Sequence, residues 1–147
     1  MKLVLDTNCL IQCLPRRSEF HPVWISLMDG RNLLCVSNEI LEEYSDIIGR
    51  LINAEIADYV IGSIINCPFT QFVNPYYHFH LIEVDPDDNK FVDCALAVGA
   101  RFIVSNDHHY DILKSIDYPI IDVIAIRAFY EKNTMTFMPC RQQQTTK

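Results

Sequence analysis

Short apolar runs that each break off at a polar residue, separated by longer stretches of helical periodicity, limit the folds open to this chain more than any other feature. Leu3-Val4-Leu5 stops at Asp6, Leu33-Leu34-Cys35-Val36 stops at Ser37, and Phe102-Ile103-Val104 stops at Ser105-Asn106-Asp107. Runs this short and this apolar read as strands buried on both faces, and their alternation with helical segments is the pattern of a parallel α/β sheet. Open sheets of that kind bind ligands beyond the carboxyl ends of their strands. Asp6 and Asp107 fall at such ends.

The remaining elements follow from punctuation. Pro15-Arg16-Arg17-Ser18 interrupts the segment after the first strand, and a helix is predicted over 21–29, closed by Asp29-Gly30. Ser37 or Asn38 suits the N-cap of a helix running to about Leu51, and a further helix is predicted over 53–65. Residues 69–84 are aromatic and irregular, with Asn74-Pro75 as a turn and two short strand candidates, 71–73 and 80–84. Asp85 suits an N-cap and Pro86 a first helical position, so a helix is predicted from there to Val98, stopped by Gly99. A short helix after Asp107, a last strand at 119–121 and a helix over 122–130 complete the expected order.

A chain of 147 residues can bury a core without disulfide or metal staples. One domain is expected over 1–138, with a polar, disordered tail over 139–147. No apolar stretch approaches the roughly 20 residues of a spanning helix, and no signal-type apolar segment opens the chain, so a cytoplasmic protein without membrane contact is expected. Six scattered cysteines lack C-x-x-C spacing and read as reduced core thiols rather than a site built with His108 or His109. The net charge of −7 excludes a broadly basic surface that wraps nucleic acid through lysine and arginine. It leaves open a nuclease whose positive charge is a bound cation.

Nineteen acidic residues are present, and geometry selects among them. On the 37–51 helix, Ile40, Leu41, Tyr44, Ile47, Ile48 and Leu51 form the core stripe at helical spacing; Glu43 borders it, while Glu42 points to solvent and Glu39 lies further round. On the helix after Asp85, Phe91, Val92 and Ala95 define the buried face; Asp88 leads that face and Asp93 falls nearly opposite. Taken singly, Asp6, Asp88 and Asp107 could each be a helix cap. Taken together with Glu43, carboxylates converging on one pocket repel one another, and a hard divalent cation such as Mg²⁺ or Mn²⁺ relieves the repulsion.

The chain resembles the PIN-domain ribonucleases, in particular bacterial PIN-family toxins related to the VapC type. The resemblance rests on Leu3-Val4-Leu5-Asp6-Thr7-Asn8, Val36-Ser37-Asn38-Glu39-Ile40-Leu41-Glu42-Glu43-Tyr44, Asp85-Pro86-Asp87-Asp88-Asn89-Lys90-Phe91 and Phe102-Ile103-Val104-Ser105-Asn106-Asp107, in the family's order. It implies a three-layer α/β/α sandwich with a mainly parallel sheet in strand order 3-2-1-4-5. It also implies catalytic acids at Asp6, Glu43, Asp88 and Asp107, with Asp6, Asp88 and Asp107 on the metal and Asn8 and Ser105 as supporting polar groups. Two positions depart from the pattern: Asn106 stands where glycine is frequent, and His108-His109-Tyr110 crowds the neighbouring loop.

The resemblance and the acid pattern together imply Mg²⁺- or Mn²⁺-dependent hydrolysis of RNA by the toxin of a toxin–antitoxin pair, with an antitoxin partner and a homodimer as expected assemblies. Arg16 and Arg17 are candidate phosphate contacts. Tyr76, Tyr77, Phe79, His78 and His80 read as loop or dimer packing ahead of base stacking. A haloacid-dehalogenase-like phosphatase expects Asp-x-Asp after the first strand, where this chain has Asp6-Thr7-Asn8, and the acidic pair and late lysine of a receiver domain are not evident. A catalytically inactive binding module of the same fold remains the alternative.

Overall fold

The computed structural model describes residues 1–133. The tail expected over 139–147 and the domain end at 138 lie outside the described residues. Among those residues five strands, β1 (Lys2–Leu5), β2 (Leu33–Val36), β3 (Gln71–Phe72), β4 (Phe102–Val104) and β5 (Val123–Ile124), form one parallel sheet in the order β3-β2-β1-β4-β5. Leu3 pairs with Leu34 on one side and Phe102 on the other. The central place of β1 explains why Leu3, Val4 and Leu5 have no polar interruption: all three are fully buried.

The flanking helices are α1 (Thr7–Cys13), α2 (His21–Met28), α3 (Asn38–Leu51), α4 (Ala54–Asn66), α5 (Asn89–Val98) and α6 (Ile126–Lys132). Single-turn and irregular 3₁₀ segments occupy Pro86–Asp88 and His108–Ser115. α5 packs on β1, β2 and β4, while α3 packs against α1, α4 and α5. The chain runs outward from β1 through β2 to β3, then returns to lay β4 on the free edge of β1. The crevice between the carboxyl ends of β1 and β4 is thus the topological switch point of the sheet.

Caps account for the helix starts. Asp6 accepts from the Thr7 N–H, Ser37 from the Ile40 N–H and Asn53 from the Ile56 N–H. Gly99 ends α5 in the left-handed region at φ 65°, where its amide reaches back to the last turn.

Four local expectations are corrected. No strand forms over 80–84, because the Ile82 N–H donates to Asn89 Oδ1 at 2.8 Å and Asn89 Nδ2 donates to the Ile82 carbonyl at 2.8 Å. One side-chain amide takes both bonds that a strand partner would have supplied. The last strand is Val123–Ile124, not 119–121: Pro119 lacks an N–H, and the Ile103 and Ser105 amides donate instead to the Asp122 and Ile124 carbonyls. α6 consequently begins at Ile126. Leu51, placed in the core stripe of α3 by its spacing, is 67% exposed at the last turn, whereas Ile40, Tyr44 and Ile48 are fully buried.

Asp93 is the fourth correction, since it is buried rather than opposite the covered face. It accepts from the Phe79 N–H at 3.0 Å and lies 3.1 Å from His78 Nδ1. The irregular segment before α5 folds over that side of the helix and brings these partners with it. Five of the six cysteines are described, and all five are buried free thiols; burial pushes Cys9 and Cys94 up to about 12, which keeps them protonated. Among the described residues no helix is long and apolar enough to cross a membrane.

Candidate active site

Parallel register brings the first two acids together. Leu5 is paired with Val104, so the residues that follow, Asp6 and Ser105, emerge side by side. The Asp6 amide donates to the Val104 carbonyl at 3.0 Å, and the Asp6 side chain, 7% exposed, divides its oxygens between two donors. Oδ1 accepts from the Thr7 N–H and Oδ2 from the Ser105 hydroxyl, each at 2.8 Å. Ser105 Oγ in turn accepts from the Asp107 N–H at 3.0 Å. One hydroxyl therefore fixes both the first acid and the backbone that carries the last.

Glu43 reaches the same place from α3. The next residue, Tyr44, is fully buried and donates its hydroxyl to the Leu5 carbonyl, which pins the middle of α3 to the end of β1. Glu43 then accepts from the Thr7 hydroxyl through Oε2 and pairs through Oε1 with Lys90 Nζ at 2.8 Å. Lys90 comes from the first turn of α5, two residues after Asp88. Thr7 and Lys90 are thus neighbours of the acids that spacing alone did not single out.

Asp88 closes the pocket from the 3₁₀ turn before α5. The helix-capping duty in this turn belongs to Asp85, whose side chain accepts from the Asp87 N–H; the Asp88 carboxylate makes no cap bond and is 8% exposed. It faces His109, whose Nδ1 lies 3.2 Å from Asp88, 3.3 Å from Asp107 and 3.8 Å from Asp85. Asp107 caps the segment after β4 and accepts from the His109 N–H at 2.9 Å.

The electrostatics express this convergence. Burial is the largest influence raising the Asp6 carboxyl, with Glu43 and Asp107 adding to it against the Ser105 and Thr7 hydrogen bonds. Burial likewise pushes Asp88 up to about 6, with Asp85, Asp6 and Asp107 reinforcing it and the His109 hydrogen bond opposing. The hydrogen bond to Asp88 is the first cause raising His109 above its ordinary value. Tyr110 lies beneath the group: its hydroxyl is buried with no hydrogen-bond partner among the described residues, and the charges of Asp6, Asp88, Asp107 and Glu43 all act on it.

Asp6 and Asp107 open onto a cleft of about 400 Å³ that Asn8, Gln12, Leu51 and Asn106 also line. Asn8 is exposed on this wall, and among the described contacts Thr7 rather than Asn8 bonds to the acids. Arg16 and Arg17 are exposed on the loop after α1, beyond the cleft lining. Asn106, at the position where glycine is frequent, accepts from the Ile126 N–H at 3.1 Å and so ties the start of α6 to the site loop.

The donor set fits a hard divalent cation. Carboxylate oxygens crowd at a strand edge with their charges only partly compensated, and a buried hydroxyl in their field has no partner among the described residues, a bond that a hydration water would supply. Asp6, Asp88 and Asp107 could hold it, although the ligand atoms that lie within 4.8 Å of one another are those of Asp85, Asp88 and His109.

The sequence model of the family described as PIN domain matches residues 2–109. No curated protein and no solved structure matched. The matched stretch begins at β1 and ends at His109, and so contains every acid of the pocket and both sides of the switch-point crevice. With that coverage and the β3-β2-β1-β4-β5 parallel sheet, a nuclease-type fold, the chain belongs to the PIN-domain family.

Proposed function

We propose that the protein is a divalent-cation-dependent endoribonuclease that hydrolyses RNA phosphodiester bonds at the acidic end of its sheet, using Mg²⁺ or Mn²⁺. The observation that supports this reading is that Asp6, Glu43, Asp88 and Asp107 all act electrostatically on the buried Tyr110 hydroxyl, which has no hydrogen-bond partner among the described residues. The choice of RNA rests on the resemblance to PIN-domain ribonucleases, to which the family match lends support.

A bound divalent cation would supply charge against the phosphate and favour ionisation of the attacking water. The chain's own groups supply placement. Ser105 holds the Asp6 carboxylate and the Asp107 backbone in one orientation, and Thr7 holds Glu43 toward the same pocket. Glu43 is the candidate acceptor of the water proton, since its carboxylate borders the buried acids while remaining a quarter exposed. The cleft wall of Asn8 and Gln12 offers neutral hydrogen-bonding groups to the ribose-phosphate chain, and Arg16 and Arg17 offer positive charge beyond it. In the cell the proposed role is that of the cytoplasmic toxin of a toxin–antitoxin pair, restrained by a small antitoxin. The exposed Tyr76 and Tyr77 are candidates for the homodimer surface.

A second reading has one specific observation in its favour. Lys90 and His109 already place cationic or proton-donating groups against Glu43 and Asp88, as a cation-free binding module would. Calorimetry with Mn²⁺ in the absence of RNA separates the two, because the module should show no saturable binding.

The direct test is cleavage of end-labelled single-stranded RNA with Mn²⁺, with Mg²⁺ and with EDTA. Asp6→Asn and Asp107→Asn proteins should stay folded by circular dichroism and lose about 100-fold or more of the cation-dependent rate. Cleavage that persists in EDTA, or that neither substitution affects, would overturn the assignment.

A further inference from the structure

His109 has an unusual place for a histidine in a pocket of oxygen donors. Its Nδ1 lies within 4 Å of three carboxylates, and ligand atoms from Asp85, Asp88 and His109 all lie within 4.8 Å of one another. The ring is not there by side-chain freedom alone. The His109 N–H is anchored on Asp107 Oδ1 at 2.9 Å, so the backbone that carries the imidazole is fixed by one acid while its ring faces two others. Asp85 is held by its bond to the Asp87 N–H, and Asp88 is buried in the turn that Asp85 caps.

We propose that His109 Nδ1, with the carboxylates of Asp85 and Asp88, forms a nitrogen-bearing cation position at the rim of the acid pocket that selects Co²⁺, Ni²⁺, Zn²⁺ or Fe²⁺ over Mg²⁺. The inference rests on the reading of the pocket as a divalent-cation centre and adds to it a ligand outside the carboxylate set Asp6, Asp88 and Asp107. Imidazole nitrogen favours later first-row ions, whereas Mg²⁺ is served best by oxygen. An ion here would replace the present contacts between the ring and the carboxylates, using the same Nδ1 and Asp88 Oδ2 that now face each other at 3.2 Å. The Tyr110 hydroxyl, 1% exposed and without a hydrogen-bond partner among the described residues, lies in the field of Asp88, the acid that the rim shares with the deeper pocket, and is a second sign that a hydrated ligand belongs beside Asp88. Asp88 is shared between the rim position and the deeper acids, so occupancy of the rim would bear on the cation preference of the whole pocket.

The test uses the full-length protein loaded with Co²⁺ alone. Proton NMR of a histidine-ligated Co²⁺ protein carries a paramagnetically shifted, solvent-exchangeable imidazole N–H resonance, and this resonance should be present in the wild type and absent in His109→Gln. Calorimetry should show Co²⁺ affinity falling by about tenfold or more in His109→Gln, with Mg²⁺ affinity changed by less than about twofold, as expected for an oxygen-preferring ion. Co²⁺ binding with no shifted imidazole resonance, or equal Co²⁺ affinity in both proteins, would overturn the proposal while leaving the carboxylate centre and its RNA cleavage standing. Absence of saturable binding of any divalent cation to the wild type would overturn both. Because four other histidines are present, a His108→Gln protein should keep the resonance, and loss of it there as well would overturn the assignment to His109; circular dichroism checks that both variants are folded.

Discussion

Replacing Asp88 with asparagine is expected to stabilise the cation-free protein, and to do so only once the pH has left the acid range. Burial, reinforced by Asp85, Asp6 and Asp107, raises the Asp88 carboxyl from 3.8 to about 6. A carboxyl raised by folding gives its full stabilisation below its unfolded value near 3.8 and loses it as pH rises through the folded value of about 6. Above that window the ionised group costs about 3 kcal/mol relative to its protonated form. Asparagine keeps the shape without the charge, so Asp88→Asn should exceed the wild type by about 3 kcal/mol near pH 7.5 and by less than about 1 kcal/mol near pH 4. In a chain of this size the larger figure corresponds to a rise in Tm of about 10 °C.

Urea melts followed by circular dichroism in EDTA, at several pH values between those limits, measure the difference. Adding a divalent cation at about 100 times its Kd should cancel most of the gain, because binding returns about 2.7 kcal/mol to the wild type and less to the variant. An Asp88→Asn protein no more stable than wild type near neutral pH in EDTA, or stabilised equally near pH 4, would refute the claim that buried like charge is held at this site in readiness for a cation.

Two further outcomes can be checked with the same material. Ser105→Ala removes the hydroxyl that joins Asp6 to the Asp107 backbone; Mn²⁺ affinity by calorimetry should fall about tenfold, and an unchanged affinity would mean that Ser105 does not orient the acids. Asn89→Ala removes both bonds to Ile82 and should cost roughly 2 to 3 kcal/mol in urea unfolding, with faster amide exchange concentrated between residues 78 and 85; exchange there as slow as in the wild type would rule out the clamp.

Elements whose fate is decided by local pattern were legible in the sequence. β1, β2 and β4 are continuous apolar runs because the sheet buries them on both faces, and α3 and α4 carry their own caps in Ser37 and Asn53. The carboxylates at strand ends follow from that same reading, and the phase of α3 distinguishes half-buried Glu43 from exposed Glu42. What sequence pattern cannot supply are partners brought by distant segments. Asp93 looks solvent-facing on a helical wheel because a wheel has no knowledge of the 78–79 segment that covers it. Residues 80–84 have the composition of a strand, yet Asn89 satisfies Ile82 first. His109 was visible as an oddity of the loop, but its three carboxylate neighbours lie on two different elements and meet only after the fold is complete.

The hydrogen bond between Ser105 and Asp6 spans 99 positions of sequence, and that separation has a meaning for a chain under synthesis. A ribosome that has not yet delivered β4 can already have released β3, β2 and β1, but β1 is then the outer edge of an incomplete sheet and Asp6 has neither Ser105 nor Asp107 beside it. Pairings this remote form late, after nearer contacts have paid the cost of ordering the chain. The acidic pocket is therefore among the last features of this protein to come into existence. A nascent chain tethered beside messenger and ribosomal RNA would carry no assembled centre until its own β4 has emerged.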